Sequence, residues 1–533
     1  MIRRFILALS IVLVACSQGD NINAPSVPKD IQAIFDKPAY KQAVWGLRVV
    51  DLDTGEVIHD LGAGRQFLTG SVRKIFSVGQ ALDQIGPAHT VTTPVHRQGS
   101  VSGGVLNGDL VLVAQGDLTM GGRTNPDGSI AIDEFDHSDA NALGNGRLTA
   151  PDPLAGYASL ARQVAASGIT RVAGDVVIDD RLWMPFQFAN EFKVSPIFVN
   201  DDLVDVVMNP TSPGAPAAVD WRPKSAAFEV TSTLMTSAAG TGETVARNPD
   251  PPPCIGAPGC KGNVSGNLPI DFKPIFTNAF PMVQTFRIAA PANYARTVFI
   301  EALRNAGVTI DANAVAPNPT AKLPAKNSYT ADTRVAQLVS FPFSEEAKLI
   351  LKVSYNVGAN AALVLLGLAN GVDTIDEALV VERHLLADNF GIEPSEYHFV
   401  DGGGGGTTSA TFRAITTYLR GMAKRASFAA FYAALPILGV DGSLGSLQDF
   451  QRDASLAGAK GNVFAKTGTF IDGSAGPPQV RAKALAGYIT AKSGRRLVFA
   501  LAVNDVGTFT GIEPVLQILE DQGTIAAILW RES

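Results

Sequence analysis

The first clear pattern along the chain is a run from Val44 to Leu52 whose aliphatic and β-branched residues read as a strand. Asp53-Thr54-Gly55 then reads as a turn and Val57-Ile58 as a return strand. From Val72 the period lengthens. Ile75, Val78, Leu82 and Ile85 recur at three- and four-residue steps, which predicts a helix that Gly86-Pro87 ends. From about residue 98 to 285 the texture changes again. Short β-like runs such as Gly108 to Val113 and Val172 to Ile178 stand between Gly, Pro and Asn, with one helical stretch from Tyr157 to Ser167. Asp136 to Asn145 and Asn248 to Asn267 read as exposed loops. Helical texture returns at Tyr294 to Ala306, Thr333 to Leu338, Asn356 to Leu368 and Thr374 to Asn389. Near the C-terminus, Ala484 to Ala491 and Arg495 to Val503 read as two strands joined by the hairpin turn Lys492-Ser493-Gly494-Arg495, and Pro514 to Leu529 as a closing helix. No internal repeat is visible.

Strands thus lie at both ends of the chain with helices between them. The simplest packing is an α+β domain: one antiparallel sheet built from both termini and covered by helices, with a β-rich segment inserted. This divides the chain into a leader (1–15), a polar tether (16–30), a discontinuous main domain (31–97 with 286–533) and an insert (98–285). The chain's 533 residues exceed what one core usually organises, which agrees with at least two domains. Its 46% hydrophobic and 17% charged residues suit a folded protein, and a net charge of -7 provides no basic field for nucleic acid. The six histidines are scattered without metal-ligand spacing, so metal chemistry is not expected.

Three short motifs could carry chemistry. In Ser71-Val72-Arg73-Lys74 a helical turn would place the lysine amine beside the serine hydroxyl. A serine needs such a base to become a nucleophile, and a buried lysine can provide it. Ser71 would also sit at a helix start, where backbone N–H groups favour negative charge. Ser26-Val27-Pro28-Lys29 has the same spacing, but it lies in the tether and Pro28 interrupts it. In Ser354-Tyr355-Asn356 the hydroxyl could relay a proton and the amide could bind a carbonyl; the plainer reading is a helix N-cap serine. In Lys466-Thr467-Gly468-Thr469 the first two side chains suit a substrate carboxylate. Gly468 permits close backbone approach, and the Thr469 N–H could join that of Ser71 around an oxyanion. The plainer reading of Lys466 is a lysine guarding a sheet edge. Ser265-Gly266-Asn267 and Lys492-Ser493-Gly494 repeat two of these patterns in a loop and at a hairpin tip.

Taken together and in this order, the three motifs match the set of penicillin-recognising serine enzymes. The chain resembles the D-alanyl-D-alanine carboxypeptidase/endopeptidases known as class C low-molecular-mass penicillin-binding proteins. The likeness runs from about Trp45 to Asn504 and includes Gly108-Asp109-Leu110-Val111, Gly168-Ile169 and Val172 to Asp175, Gly439 to Leu444, and Ala486-Gly487-Tyr488 with Ser493-Gly494-Arg495. The resemblance implies a penicillin-binding/β-lactamase-like transpeptidase domain with a large insert. It implies that Ser71 is acylated, Lys74 is its base, Ser354 and Asn356 assist, and Lys466, Thr467 and Gly468 line the opposite wall. It further implies peptidoglycan stem peptides and cross-links as substrates, β-lactams as covalent inhibitors, and no cofactor. Two departures stand out: Tyr355 where the family has Asp, and Asp401-Gly402-Gly403-Gly404 where it has Asp-Gly-Ser-Gly. Gly402 to Gly406 reads either as part of that segment or as a plain flexible loop.

Arg3, Arg4 and the apolar run Phe5 to Ala15 have the form of a secretory leader, too short to span a bilayer. Leu13-Val14-Ala15-Cys16 resembles the lipobox of bacterial lipoproteins, which implies lipidation of Cys16; Ser17 after it implies the periplasmic face of the outer membrane. In such an oxidising compartment Cys254 and Cys260 could staple a small loop or remain two unpaired thiols. Two other functions compete with a D,D-peptidase. One is a serine β-lactamase or esterase on the same fold, for which no dedicated deacylating base can be placed. The other is a non-catalytic peptidoglycan-binding lipoprotein, which would carry degenerate motifs.

Overall fold

The computed structural model describes residues 27–188, 192–274, 277–473 and 477–533. The leader, Cys16, most of the tether and Ser26 lie outside the described residues. The main sheet begins with β1 (Val44–Asp51) and β2 (Val57–Leu61), after a short helix α1 (Lys29–Phe35). A 3-10 turn over Gly70–Arg73 leads into α2 (Lys74–Ile85), so Ser71 lies in that turn and the α-helix starts at Lys74, two residues later than the pattern from Val72 suggested. Gly86, at φ 88°, stops it.

The insert follows with β3 (Thr92–Ser102), β4 (Val105–Val113), α3 (Ala155–Ala166), β5 (Arg171–Val172) and β6 (Val176–Asp179). A smaller sheet is formed by β7 (Leu203–Asn209), β8 (Ala218–Arg222) and β9 (Met282–Arg287). Helix α4 (Pro291–Asn305) and strands β10 (Thr309–Ile310) and β11 (Arg334–Val339) complete the insert. Its main sheet has the order β10-β5-β4-β3-β11, with β6 alongside β4. This sheet therefore takes in chain from Thr92 to Val339 and reaches past residues 98 and 285 on both sides. The helix expected over Thr333 to Leu338 is instead β11, antiparallel to β3 with Val339 opposite Thr92. Six residues with Val335, Leu338 and Val339 satisfy a strand pattern as well as a helical one, and a partner strand far back in the chain decides between them. Gln163 of α3 clamps β11 by bonding both the carbonyl (2.9 Å) and the N–H (3.0 Å) of Gln337.

The chain then returns to the main domain through α5 (Phe343–Val353), α6 (Asn356–Ala369), α7 (Ile375–Phe390) and α8 (Phe412–Met422). Strands β12 (Val463–Asp472), β13 (Gln479–Thr490) and β14 (Arg496–Thr508) and helix α9 (Glu513–Glu532) close it. The main sheet has the order β2-β1-β14-β13-β12, fully antiparallel, as expected of strands from both termini. Its middle strands are apolar on both faces because helices cover both. Leu485, Ile489, Leu497, Phe499, Leu501 and Val503 enter one core with α1 and α9. Ala484, Ala486, Ala500 and Ala502 enter the other, and these small side chains let α8 and the 3-10 turn before α2 lie close to the sheet. Helix α6 is buried all round, as its unbroken apolar composition requires. Thr374 caps α7 by accepting the N–H of Glu377.

Two expected exposed loops are only partly exposed. Asp136, His137 and Asn145 are buried, because Arg123, Asp201, Asp205 and the β9 backbone satisfy them. In the segment from Asn248 to Asn267, Cys260 and Ile255 are buried, Lys261–Ser265 forms a strand parallel to Glu229–Ser232, and a disulfide joins Cys254 to Cys260.

Insert and main domain meet at a pair of buried acids. Burial, and then the Asp117 charge, raise the Glu346 carboxyl well above its ordinary range; burial raises Asp117 as well. A carboxyl raised on folding holds its proton in the folded state, so its contribution to stability is complete below its unfolded value and is lost as pH rises. We expect Glu346→Gln to raise the thermal midpoint at about pH 8 by several degrees, and this gain to vanish near pH 4. An equal shift at both pH values in a thermal unfolding series would contradict the assignment.

Candidate active site

All three motifs converge on one cleft of about 520 Å³, lined by Ser71, Ser354, Asn356, Thr467 and Thr469. Lys74 is its centre. Its Nζ lies 2.7 Å from Ser71 Oγ, 2.6 Å from Asn356 Oδ1 and 2.8 Å from the Gly403 carbonyl. The first contact is one helical turn. The second exists because α2 packs along α6, and the third because a glycine loop closes over both. The amide oxygen and the carbonyl can only accept, so they hold two amine hydrogens. The third partner is a hydroxyl, which can accept from an ammonium or donate to a neutral amine. Burial brings the Lys74 amine down to about 8, against the nearby Asp139 and Asp401 charges and with help from Arg73. The arrangement can therefore pass the Ser71 proton to Lys74 near neutral pH.

Ser354 ends α5 in the left-handed region at φ 68°, uncommon for a residue with a side chain. That conformation turns its hydroxyl into the cleft, where Lys466 Nζ donates to it at 3.0 Å. The helix that follows starts only at Asn356, and Ser354 accepts no cap bond from it, so the plain N-cap reading fails. Lys466 also donates to the Thr467 carbonyl at 3.0 Å. Although β12 is an edge strand, Lys466 is fully buried and cannot guard that edge from solvent. Burial and then the Lys74 charge hold its amine well below the ordinary lysine range. Tyr355 points away from the cleft; its ring lies against Gly358 and its hydroxyl reaches the Asp201 carbonyl of the insert at 3.5 Å.

Two glycine contacts set the width of the cleft. A Cβ on Gly468 would fall 2.0 Å from the Thr69 carbonyl, so strand β12 can lie against the turn that carries Ser71 only if this residue has no side chain. Gly404 sits at φ 101°, and a Cβ there would meet the Gly70 carbonyl at 2.1 Å. The run Gly402 to Gly406 is therefore not a plain loop. Asp401 Oδ1 accepts the N–H groups of Gly403 (2.8 Å) and Gly404 (2.6 Å), the Asn360 side chain binds Gly402 N–H at 3.0 Å, and Ser77 donates to the Gly402 carbonyl at 2.8 Å. Beneath it, Arg73 donates to the Asp401 carbonyl at 2.9 Å and forms a buried ion pair with Glu382.

Residues not singled out from the sequence also line the cleft. Ser443 shares a 2.8 Å hydrogen bond with Thr467, and Lys483 donates to Thr469 Oγ1 at 2.8 Å. Asp139, from the loop read as exposed, is partly buried there, and desolvation lifts its carboxyl to about 6 against the pull of Lys74. A lysine inside the apolar run Val480 to Ile489 was the visible signal for Lys483; Asp139 had none.

Among the described residues one group has metal-ligand types within reach: Asp136, His137 and Asp201. Arg123 occupies that position, with its guanidinium on Asp136 (2.8 and 2.9 Å) and Asp201. His137 spans Asp201 (2.7 Å) and Asp205 (2.6 Å). Burial opposes its charge, but the Asp205 and Asp136 carboxylates push it up to about 10, so it is an imidazolium rather than a ligand. The cluster is an ion network that fixes the 134–143 wall of the cleft.

The family model for D-Ala-D-Ala carboxypeptidase 3 (S13) matches residues 27–519. The chain is 27% identical over 515 residues to the D-alanyl-D-alanine carboxypeptidase of Actinomadura sp. (strain R39), covering 92% of this chain and 83% of that one. Its fold is similar to crystal structures of penicillin binding protein 4 from Haemophilus influenzae. One has a TM-score of 0.67 at 16% identity, over 94% of this chain and 99% of the other. A second, complexed with a novel β-lactam, has a TM-score of 0.65 at 17% identity over 94% and 98%.

The glycine contacts generate a test. Gly404→Ala should slow acylation by a fluorescent penicillin ~10- to 100-fold, because the loop that carries the Gly403 carbonyl must move off Lys74. Gly406→Ala, at φ 55° with open space around it, should label within about threefold of wild type. Equal labelling of the two variants would show that the loop does not position the amine.

Proposed function

Because the chain belongs to the D-Ala-D-Ala carboxypeptidase 3 (S13) family, we propose that it is a serine D,D-peptidase that cuts the bond after a D-alanine in peptidoglycan peptides through an acyl-enzyme. The observation that carries this reading is the Lys74 amine, buried and held between two fixed acceptors and the Ser71 hydroxyl. Neutral Lys74 takes the Ser71 proton as Oγ attacks the D-Ala carbonyl. The backbone N–H groups of Ser71 and Thr469 stabilise the oxyanion. The leaving amine departs with a proton relayed through the Ser354 hydroxyl, which Lys466 polarises. Water then attacks the acyl carbonyl as Lys74 takes one of its protons, and that proton passes to Ser71 Oγ as the ester bond breaks and the D-alanine-terminated product leaves. The Asn356 amide, anchored through Lys74, remains available to bind the acyl side of the substrate. A β-lactam enters the same path as a mimic and stops at the acyl-enzyme. Both carboxypeptidase and endopeptidase action are consistent with a cleft of this size. The leader and the Cys16 motif support a further part of this reading, a lipoprotein on the periplasmic face of the outer membrane.

Ser71→Ala should abolish covalent labelling by fluorescent penicillin, a loss of at least about a thousandfold, with the thermal midpoint unchanged. Lys74→Ala should lose nearly as much, and Ser26→Ala should label like wild type. Label that persists on Ser71→Ala would exclude this nucleophile. Sustained nitrocefin turnover in place of a single stalled turnover would assign the fold to a β-lactamase. Product masses from purified muropeptides separate loss of one D-alanine from scission of a cross-link.

A further inference from the structure

Lys483 lies in β13 opposite Thr469 of β12, between Ala482 and Ala484. β13 is an interior strand, so this lysine protects no sheet edge. It is 5% exposed, yet it reaches the same cleft as Ser71. The partner the structure provides for its Nζ is a neutral one, Thr469 Oγ1 at 2.8 Å. Burial lowers its amine to about 8, with no carboxylate among the described residues acting on it. A buried ammonium without a counter-charge is costly and is normally matched by an anion.

The hydrogen-bond directions point the same way. A hydroxyl has one hydrogen. Lys483 donates to the Thr469 oxygen, so the threonine's own hydrogen is free for an acceptor in the cleft. Thr467, linked to Ser443, presents a second hydroxyl on the same wall. Lys466, the other lysine on this strand pair, is turned to Ser354 and to its own neighbour's carbonyl.

Resting on the serine D,D-peptidase reading, we infer that Lys483 supplies the charge of a subsite for the free α-carboxylate beyond the scissile bond, bound through the hydroxyls of Thr469 and Thr467. Lys466 then serves the proton relay at Ser354, and recognition and chemistry are divided between two lysines on adjacent strands. Lys483 acts on the substrate through Thr469 and is a positioning residue.

The test is the rate of Ser71 acylation by benzylpenicillin and by its methyl ester, which lacks the carboxylate charge. Wild type should prefer the free acid. Lys483→Met should lose ~10- to 100-fold with the free acid, the range expected for a hydrogen bond to a charged group, and stay within about twofold with the ester. Lys483→Arg should restore most of the preference. Lys483→Gln, which keeps a donor to Thr469 without the charge, should fall with the Met variant. Equal losses on both compounds, or a preference that survives in Lys483→Met, would overturn the inference and leave the peptidase reading intact. Wild type that acylates both compounds at the same rate would do the same. Wild type that acylates with neither would sink both.

Discussion

Everything in the main domain is arranged around one amine kept out of water. Among the described residues no carboxylate is hydrogen-bonded to Lys74. It is held by an amide oxygen, a backbone carbonyl and a hydroxyl, each from a different stretch of chain. An amine in such a place sheds its proton more easily than one in solvent, and the two fixed acceptors leave its lone pair directed at Ser71. The fold supplies the rest. Helices α2 and α6 are buried side by side, so the polar groups on α2 face other protein segments. Lys74 and Ser77 meet the glycine loop, and Gln80 meets Glu382.

That burial explains the two places where the chain departs from its family's motifs. Tyr355 replaces an acid, but its side chain turns to the insert and packs near the Asp201 backbone, so the change leaves the cleft itself intact and ties it to the Arg123 network. The segment after Asp401 lacks a serine, but its backbone does the positioning: Asp401 gathers three successive glycine N–H groups and directs the Gly403 carbonyl to Lys74. The insert takes part through Asp139 and the wall around it, so it shapes the cleft as well as decorating the domain.

Local signals were readable where local physics decides. The Ser71 to Lys74 contact is one helical turn, the hairpin around Gly494 is a turn signal, and the Thr374 cap and the Gly86 stop are single-residue choices. What could not be read depends on distant partners. Arg334–Val339 became a strand because β3 offers an edge. The polar loop around Asp136 and His137 looked solvated until Arg123, Asp201 and Asp205 were brought to it from elsewhere in the insert. The same holds for the division between Lys466 and Lys483, because the three-residue motif does not show which way a lysine on a strand will turn.

The central claim, that neutral Lys74 activates Ser71, is tested most directly by the pH dependence of acylation with an uncharged penicillin ester, from which carboxylate recognition is absent. We expect the rate constant to rise with pH and reach half its maximum near the value of about 8 that burial imposes on Lys74. A rate that is flat or falls between about pH 6 and 9 would contradict it.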